Sequence, residues 1–204
     1  MYTIGVTGGI ASGKSLVSTM LGELGAHVVE ADEIARRQAS PGSPLLERLV
    51  GAFGDRILRD DLSLDRRALA AIAFSDGNAL ARLNEITHPP LTKAIGRRLA
   101  ELLLEDPAGV AVVDAALLLD WELSAAVDMT VAVVAPRDVR VARMVAEGMT
   151  ESEAAARLGS QRPDDWYASR TDVVIENDGT EDELRERVAG LWERVGEQRK
   201  GDAG

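Results

Sequence analysis

The fold is decided near the start of the chain, where residues 2–15 read YTIGVTGGIASGKS. The apolar, β-branched run from Tyr2 to Thr7 predicts a strand, and apolar residues at helical spacing from Lys14 to Leu24 predict a helix. Two glycines, followed by a lysine and a serine, lie between them in the pattern of a phosphate-binding loop (P-loop). Backbone N–H groups and the positive end of the helix dipole meet there and attract an anion. The plainer alternative is a turn that only connects the strand to the helix.

A loop of this kind predicts ATP and Mg²⁺ as ligands. Lys14 would bring a positive charge to the β- and γ-phosphates, and the Ser15 hydroxyl would ligate Mg²⁺. We therefore expect Lys14 to act in catalysis and Ser15 in metal binding. The expected ATP-binding positions of this stretch are Gly8, Gly9, Ala11, Ser12, Gly13, Lys14, Ser15 and Leu16.

Four further apolar runs follow the first strand, and helical patterns separate them. This alternation predicts an α/β fold of the P-loop NTPase type, with a doubly wound, five-stranded parallel sheet and right-handed crossovers. Ligands of such sheets bind at the carboxyl ends of the strands. The four runs are Ala26–Val29, Gly109–Val113, Met129–Ala135 and Asp172–Ile175.

The chain divides into three parts of one unit. A long helical stretch interrupts the strands and is expected to bind the substrate, and a later helical stretch rich in arginine is expected to close over ATP as a lid. The core comprises residues 1–39, 108–136 and 171–198, the helical insertion residues 40–107, and the lid residues 137–170.

Local signals predict where several helices begin and end. Pro44 and the pair Pro89-Pro90 are expected to mark helix starts, and Thr150 with Glu153 forms a capping box. The polar stretch after Gly196 is expected to be a frayed tail.

Composition excludes several classes of function. With 34 acidic and 23 basic residues the net charge is −11, which opposes sequence-independent binding to nucleic acid. The chain has no cysteine, which excludes a disulfide scaffold and a thiolate metal site. No apolar run is long enough to span a membrane, and no signal peptide is apparent, so we expect a cytoplasmic protein. The oligomeric state is left open.

Two aspartates follow predicted strands. Asp114 closes the third strand, where P-loop proteins place the carboxylate that holds Mg²⁺. Its alternative role is to cap the next segment. Asp32 closes the second strand, at the sheet edge that carries the phosphate loop, and its carboxylate could accept the proton of an attacking hydroxyl. The alternative for Asp32 is the N-cap of a helix that begins at Glu33.

Candidate substrate groups lie in the helical regions. His88, at an expected helix start, could donate to a phosphate or ribose, although a capping or core histidine is the plainer reading. Arg66 could bind an anionic substrate, although paired arginines on helices are more often solvated. Arg140, Arg143 and Arg157 could close over ATP, and we expect one of them to do so.

Five segments together resemble the dephospho-coenzyme A kinase family, over residues 1 to about 195. The phosphate loop is common to many kinases, so the second and third segments are the most specific. The segments are GGIASGKS at 8–15, EADEIAR at 30–36, LNEITHP at 83–89, GMTE at 148–151 and VIENDG at 174–179.

This resemblance implies transfer of the γ-phosphate of ATP to the 3′-hydroxyl of dephospho-coenzyme A, the last step of coenzyme A synthesis. Asp32 then matches the catalytic carboxylate and also contacts the substrate. Arg66 and His88 fall in the substrate-binding helical region, and Asn177 borders the adenine. Arg143 is the expected lid arginine on ATP.

Four positions depart from the family pattern. Ala116 replaces a proline and Asp120 a glutamate after the third strand, Ala146 replaces an arginine, and Tyr167 replaces a lysine. The last two changes lie in the lid, where Arg143 or Arg162 could compensate. Two other functions stay open at this point: another P-loop kinase of a nucleotide or small metabolite, and a nucleotide-dependent switch.

Overall fold

The computed structural model describes residues 1–120 and 123–201, which form alternating strands and helices. All five predicted strands are confirmed, each within one residue of its predicted ends. The strands are β1 (Tyr2–Thr7), β2 (His27–Glu30), β3 (Val110–Asp114), β4 (Met129–Val134) and β5 (Val173–Glu176). The helices are α1 (Lys14–Glu23), α2 (Ala31–Gln38), α3 (Pro44–Phe53), α4 (Arg66–Ser75), α5 (Gly77–Glu105), α6 (Arg137–Ala146), α7 (Glu151–Gly159), α8 (Asp164–Ala168) and α9 (Glu181–Gly201).

The strands form one sheet in the order β2-β3-β1-β4-β5. β1 pairs in parallel with both β3 and β4, and β4 pairs in parallel with β5. The central position of β1 matters because the loop after it lies at the carboxyl edge of the sheet, with β3 and β4 ending on either side. This is the edge at which parallel sheets bind their ligands.

Alternate residues of the strands build the main core. Ile4 and Val6 of β1 lie on the same face as Val112 of β3 and Val131 of β4, because successive side chains of a strand point to opposite faces. That face packs against apolar residues of α1 and α9. They are Val17, Met20, Leu21, Leu184, Val188, Leu191 and Val195, all at most 5% exposed.

The chain forms two compact units. One comprises Met1–Val29 and Glu101–Gly204 and contains the core just described. The other, Glu30–Ala100, has its own apolar cluster centred on Leu46, Leu49 and Ile57. Apart from Glu30, the last residue of β2, its described secondary structure consists of helices, a 3₁₀ turn at Asp55–Ile57 and an antiparallel bridge between Leu58 and Leu64.

One predicted helix start differs from the structure. Pro89 and Pro90 lie inside the 29-residue α5, so the predicted helix start there is wrong. The helix continues because Leu91, Ile95 and Leu102, at most 3% exposed, bury its apolar side. Pro44 does begin α3, with the Ser43 hydroxyl as its cap.

The predicted frayed tail after Gly196 is also wrong within the described residues. α9 runs on to Gly201, and contacts far along the chain hold its last turns. The Tyr2 hydroxyl donates to Gln198 Oε1 at 2.6 Å, and Arg199 donates to the Ala108 carbonyl.

Across the described part of the chain, no helix combines the length and apolar character that crossing a membrane requires.

Candidate active site

The phosphate loop runs between the end of β1 and the start of α1. Gly8, Ala11 and Gly13 adopt positive φ angles of 152°, 57° and 94°. Glycine enters this region without the steric cost that a Cβ imposes. A Cβ on Gly8 would overlap the backbone carbonyl of Val133, and one on Gly13 would overlap the side-chain amide of Asn177. The spacing of the two glycines therefore follows from backbone conformation and from close packing together.

Two side chains hold the carbonyl groups of the loop from one side. Asn177 Nδ2 donates to the Ser12 carbonyl at 2.8 Å, and Arg143 Nη1 donates to the Ala11 and Ser12 carbonyls at 3.1 and 3.3 Å. Arg143 Nη2 donates in turn to Asn177 Oδ1 at 3.0 Å. The N–H and C=O of a trans peptide point in opposite directions, so the Gly13 N–H faces away from both side chains. Arg143 and Asn177 together form a clamp on the loop. The clamp directs the N–H groups of the loop toward the side away from these two side chains.

A second set of contacts holds the apex of the loop. The buried Arg140 donates from Nε to the Ile10 carbonyl at 2.8 Å, from Nη1 to Asp164 Oδ1 at 2.8 Å and from Nη2 to Gln161 Oε1 at 2.9 Å. Gln161 Oε1 also accepts the Ile10 N–H at 2.8 Å. A Cβ on Gly9 would overlap the Arg140 guanidinium. The apex therefore packs against α6 and the α7–α8 connection.

Lys14 and Asp114 form a shielded ion pair at the carboxyl edge of the sheet. Lys14 begins α1, and Asp114 ends β3 in register with Val6 of β1. Their side chains, whose Nζ and Oδ1 are in contact, are 13% and 5% exposed. No side chain caps the start of α1, so the positive end of its dipole is open to an anion. The Ser15 hydroxyl is exposed one residue further on.

The Ser12 hydroxyl is buried and has no hydrogen-bond partner among the described residues. A buried donor without an acceptor is costly, and a ligand that supplies an acceptor lowers that cost. The loop thus contains a polar group whose chemistry suits a phosphate oxygen.

Asp32 belongs to the second compact unit and lies in the first turn of α2. That helix begins at Ala31 with Glu30 in the cap position, so the alternative role of Asp32 as N-cap is wrong. β2 ends at Glu30, so Asp32 follows the strand and does not close it. The carboxylate is exposed, and the Asp32 carbonyl accepts from Arg36 Nε at 3.2 Å.

Arg66 lies in the same unit, at the first position of α4. Partial burial of the guanidinium, and then the neighbouring charge of Arg36, lower the pKa of Arg66, whereas Asp32 raises it. Asp32, Arg36 and Arg66 therefore share one electrostatic environment within this unit. A cation whose charge is disfavoured by burial and by another cation is stabilised when an anion binds beside it.

His88 is half-buried within α5. Because it lies inside the helix, its alternative role as a capping residue at a helix start is wrong. The core-histidine alternative and the substrate-binding alternative both stay open.

Two of the three candidate lid arginines contact the phosphate loop directly, namely Arg140 and Arg143. The guanidinium of Arg162 lies 5.1 Å from the ring centre of Trp166, and that of Arg170 lies 4.9 Å from it. Tyr167, in place of the lysine expected from the family, is buried edge-on against Trp166. Burial, and next the charge of Asp120, raise the pKa of the Tyr167 phenol, so the group stays neutral; a phenol has no cationic form and cannot supply the charge of the lysine that it replaces.

The parallel sheet, the phosphate loop after its central strand and the shielded lysine at the start of α1 define a P-loop kinase. Sequence reasoning found the loop but missed Gln161 as one of its partners, because that contact joins residues 151 positions apart.

Comparisons with known proteins identify the family. Residues 2–183 match the family model described as dephospho-CoA kinase. The dephospho-CoA kinase of Geobacter sulfurreducens is 44% identical over 193 residues, which cover 94% of this chain and 98% of the relative. That of Thermobifida fusca is 41% identical over 197 residues, which cover 96% of each. The chain belongs to the dephospho-CoA kinase family.

Solved structures agree in fold. A crystal structure of a Thermus thermophilus protein superposes with a TM-score of 0.80 at 30% identity, covering 95% of this chain and 97% of that one. Dephospho-CoA kinase from Campylobacter jejuni gives 0.69 at 23% identity, covering 98% of both chains.

The activity is the ATP-dependent phosphorylation of dephospho-CoA, the final step of coenzyme A biosynthesis. The predicted family and function are thereby confirmed, and the reading as a nucleotide-dependent switch is set aside.

Proposed function

We propose that Lys14 and Asp32 divide the catalytic work of this reaction between the two ends of the bond that forms. Lys14 stabilises the phosphoryl group during its transfer. Asp32 orients the 3′-hydroxyl of dephospho-CoA and receives its proton. The hydroxyl oxygen bonds to the γ-phosphorus while the bond from that phosphorus to the β–γ bridging oxygen breaks, which releases ADP. The observation that carries the proposal is the shielded Lys14 at the start of α1, on a loop whose carbonyls are clamped from one side.

At the ATP end, backbone donors of the loop bind the triphosphate. Because phosphoryl transfer passes through a loose transition state, positioning and charge stabilisation supply most of the catalysis. Arg143 and Asn177 act on ATP through the loop that they clamp, which refines their expected role as direct contacts. Direct contacts to ATP are proposed for Gly8, Gly9, Ala11, Ser12, Gly13, Lys14, Ser15 and Leu16, and a contribution through the loop for Arg143 and Asn177.

Mg²⁺ fits the donors of this site. Among the described residues no group of three or more His, Cys, Asp or Glu side chains forms a metal cage. Mg²⁺ does not need one, because it keeps several waters and takes its other ligands from one or two side chains and from phosphates. The Ser15 hydroxyl and the Asp114 carboxylate would supply these, directly or through water. The ion would neutralise charge on the phosphates.

At the acceptor end, the support for Asp32 is its exposed carboxylate beside two arginines of its own unit. Arg66 would bind an anionic group of dephospho-CoA, which would relieve the unfavourable surroundings of its charge. His88 would donate to the same substrate. The reaction consumes ATP, and we place it in the cytoplasm.

Replacement of Asp32 by asparagine tests the acceptor role. Asp32→Asn keeps the shape of the side chain and removes its charge, so kcat should fall by roughly 10²- to 10⁴-fold, the usual contribution of a general base. ATP affinity should stay unchanged, because the triphosphate is held elsewhere. Asp60→Asn, at an exposed aspartate of the same unit, serves as the matched control. A near-normal kcat for Asp32→Asn would remove Asp32 from the mechanism.

A further inference from the structure

Gln161 lies in the connection between α7 and α8, and one atom of its side chain carries two hydrogen bonds. Its Oε1 accepts the backbone N–H of Ile10 at 2.8 Å and Arg140 Nη2 at 2.9 Å. Ile10 is at the apex of the phosphate loop. One donor is therefore a loop amide and the other a guanidinium.

These two kinds of donor are the ones that bind phosphate. Loop amides and arginine forks suit a phosphate oxygen because it is anionic and accepts several hydrogen bonds at once. The amide oxygen of Gln161 is a neutral acceptor in that position. An anionic oxygen binds the same donors more strongly, since hydrogen bonds with a charged acceptor are roughly twice as strong as neutral ones.

The surroundings of Gln161 also favour an anion. Gln161 lines a cavity of about 310 Å³ together with Arg137, Arg140 and Arg162. Asp164 faces the same cavity and pairs with Arg140 at 2.8 Å. Three guanidinium groups against one carboxylate leave the cavity with an excess of positive charge. Gln161 is itself exposed, so its side chain can rotate into solvent without opening the core.

We propose that Gln161 is an internal substitute for a phosphate oxygen: its amide competes with the triphosphate of ATP for the Ile10 N–H and for Arg140. ATP binding then displaces the Gln161 side chain and frees the α7–α8 connection from the loop. This inference rests on the proposed ATP site at the phosphate loop.

If the role of Gln161 were purely structural, substitutions at this position would change the affinity for ATP in the opposite direction. If Gln161 only steadied the loop, its removal would loosen the loop and weaken ATP binding, and glutamate, which accepts both hydrogen bonds, would restore it. If Gln161 competes with ATP, the two substitutions have the reverse effects on ATP affinity. Alanine removes the competition, whereas glutamate competes more strongly and also repels the triphosphate.

The test measures the Kd of the Mg²⁺ complex of the β,γ-imido analogue of ATP by titration calorimetry on the full chain. Relative to the unchanged protein, Gln161→Ala should lower Kd by about 2- to 10-fold, the range that one or two net hydrogen bonds span. Gln161→Glu should raise Kd by about 10-fold or more. Gln38→Ala, a change of the same kind in α2, should leave Kd unchanged.

Any other order of the three Kd values, including alanine binding no more tightly than glutamine, overturns the inference. Lys14→Ala, titrated in parallel, separates this failure from failure of the ATP site. If Lys14→Ala weakens binding while the order at position 161 is absent, only the inference about Gln161 fails. If Lys14→Ala binds the analogue normally, the assignment of the loop to ATP fails.

Discussion

The phosphate loop is fastened by side chains from α6 and from the segment after β5, whereas Asp32 and Arg66 are exposed groups on the first turns of two helices. The loop has its geometry before any ligand arrives, so little ordering is required when ATP binds. Groups on an exposed surface gain their fixed positions from the substrate itself. On the proposed roles, ATP meets a largely preformed site and dephospho-CoA helps to order its own.

Of three further substitutions, Lys14→Ala at the rigid end is expected to have the largest effect. Lys14→Ala removes the charge that we propose to stabilise the phosphoryl group, in a site where Lys14 and its partner Asp114 are shielded from water. Loss of one such preorganised group costs about 10²- to 10³-fold in kcat, and steady-state ADP formation with saturating ATP and dephospho-CoA measures it.

Lys93→Ala, at an exposed lysine of α5, is the matched control and should keep full activity. More than a tenth of normal turnover in Lys14→Ala would contradict the role assigned to this lysine.

A smaller effect, with a different kinetic signature, is expected for Arg66 at the exposed end. Arg66→Ala should raise the KM for dephospho-CoA by about 10- to 100-fold, the value of a hydrogen bond to a charged group, and leave the KM for ATP unchanged. Arg67→Ala, at the next residue of the same helix, is the control. Equal changes in both KM values, or equal effects of the two substitutions, would erase the distinction between the two ends.

The smallest effect tests the clamp itself. Asn177→Ala removes the donor to the Ser12 carbonyl and one acceptor of Arg143, which should raise the Kd for ATP by up to about 10-fold. Because Asn177 is 4% exposed, the free energy of unfolding should also fall by about 1–3 kcal/mol. Chemical denaturation and calorimetry measure the two quantities, with Asn78→Ala as an exposed control. Unchanged ATP affinity would show that the loop keeps its shape without the clamp.

The phosphate loop and the strands were predictable because their signals are local. Glycine spacing follows from the conformation of a few residues, and a buried parallel strand is recognisable as a continuous apolar run. The helix boundaries that were predicted wrongly depend on contacts with residues distant in the sequence. A proline inside a helix costs about 3 kcal/mol, and the buried side of α5 offsets this through residues that follow the prolines.

The contacts around the loop were harder to predict for the same reason. Arg140 was expected in the lid region, but the sequence does not show that its guanidinium binds the loop apex. Gln161 had no signal of its own, because a single glutamine in a polar connection has many possible partners. Asp32 was predicted from its position after a strand, and its role stays a prediction; the alternative role as a cap is wrong because the helix begins earlier.

The contact between Gly13 and Asn177 has a consequence for sequence change. A side chain at position 13 would require Asn177 to shrink, so the two positions constrain each other. Shrinking Asn177 still leaves Gly13 at a φ of 94°, where any L-residue carries a penalty of about 1–2 kcal/mol. A smaller residue at position 177 would therefore remove the steric overlap but not the penalty for the positive φ angle. Substitution of Gly8 is excluded more strictly, because a Cβ there would overlap the backbone carbonyl of Val133, which no substitution removes.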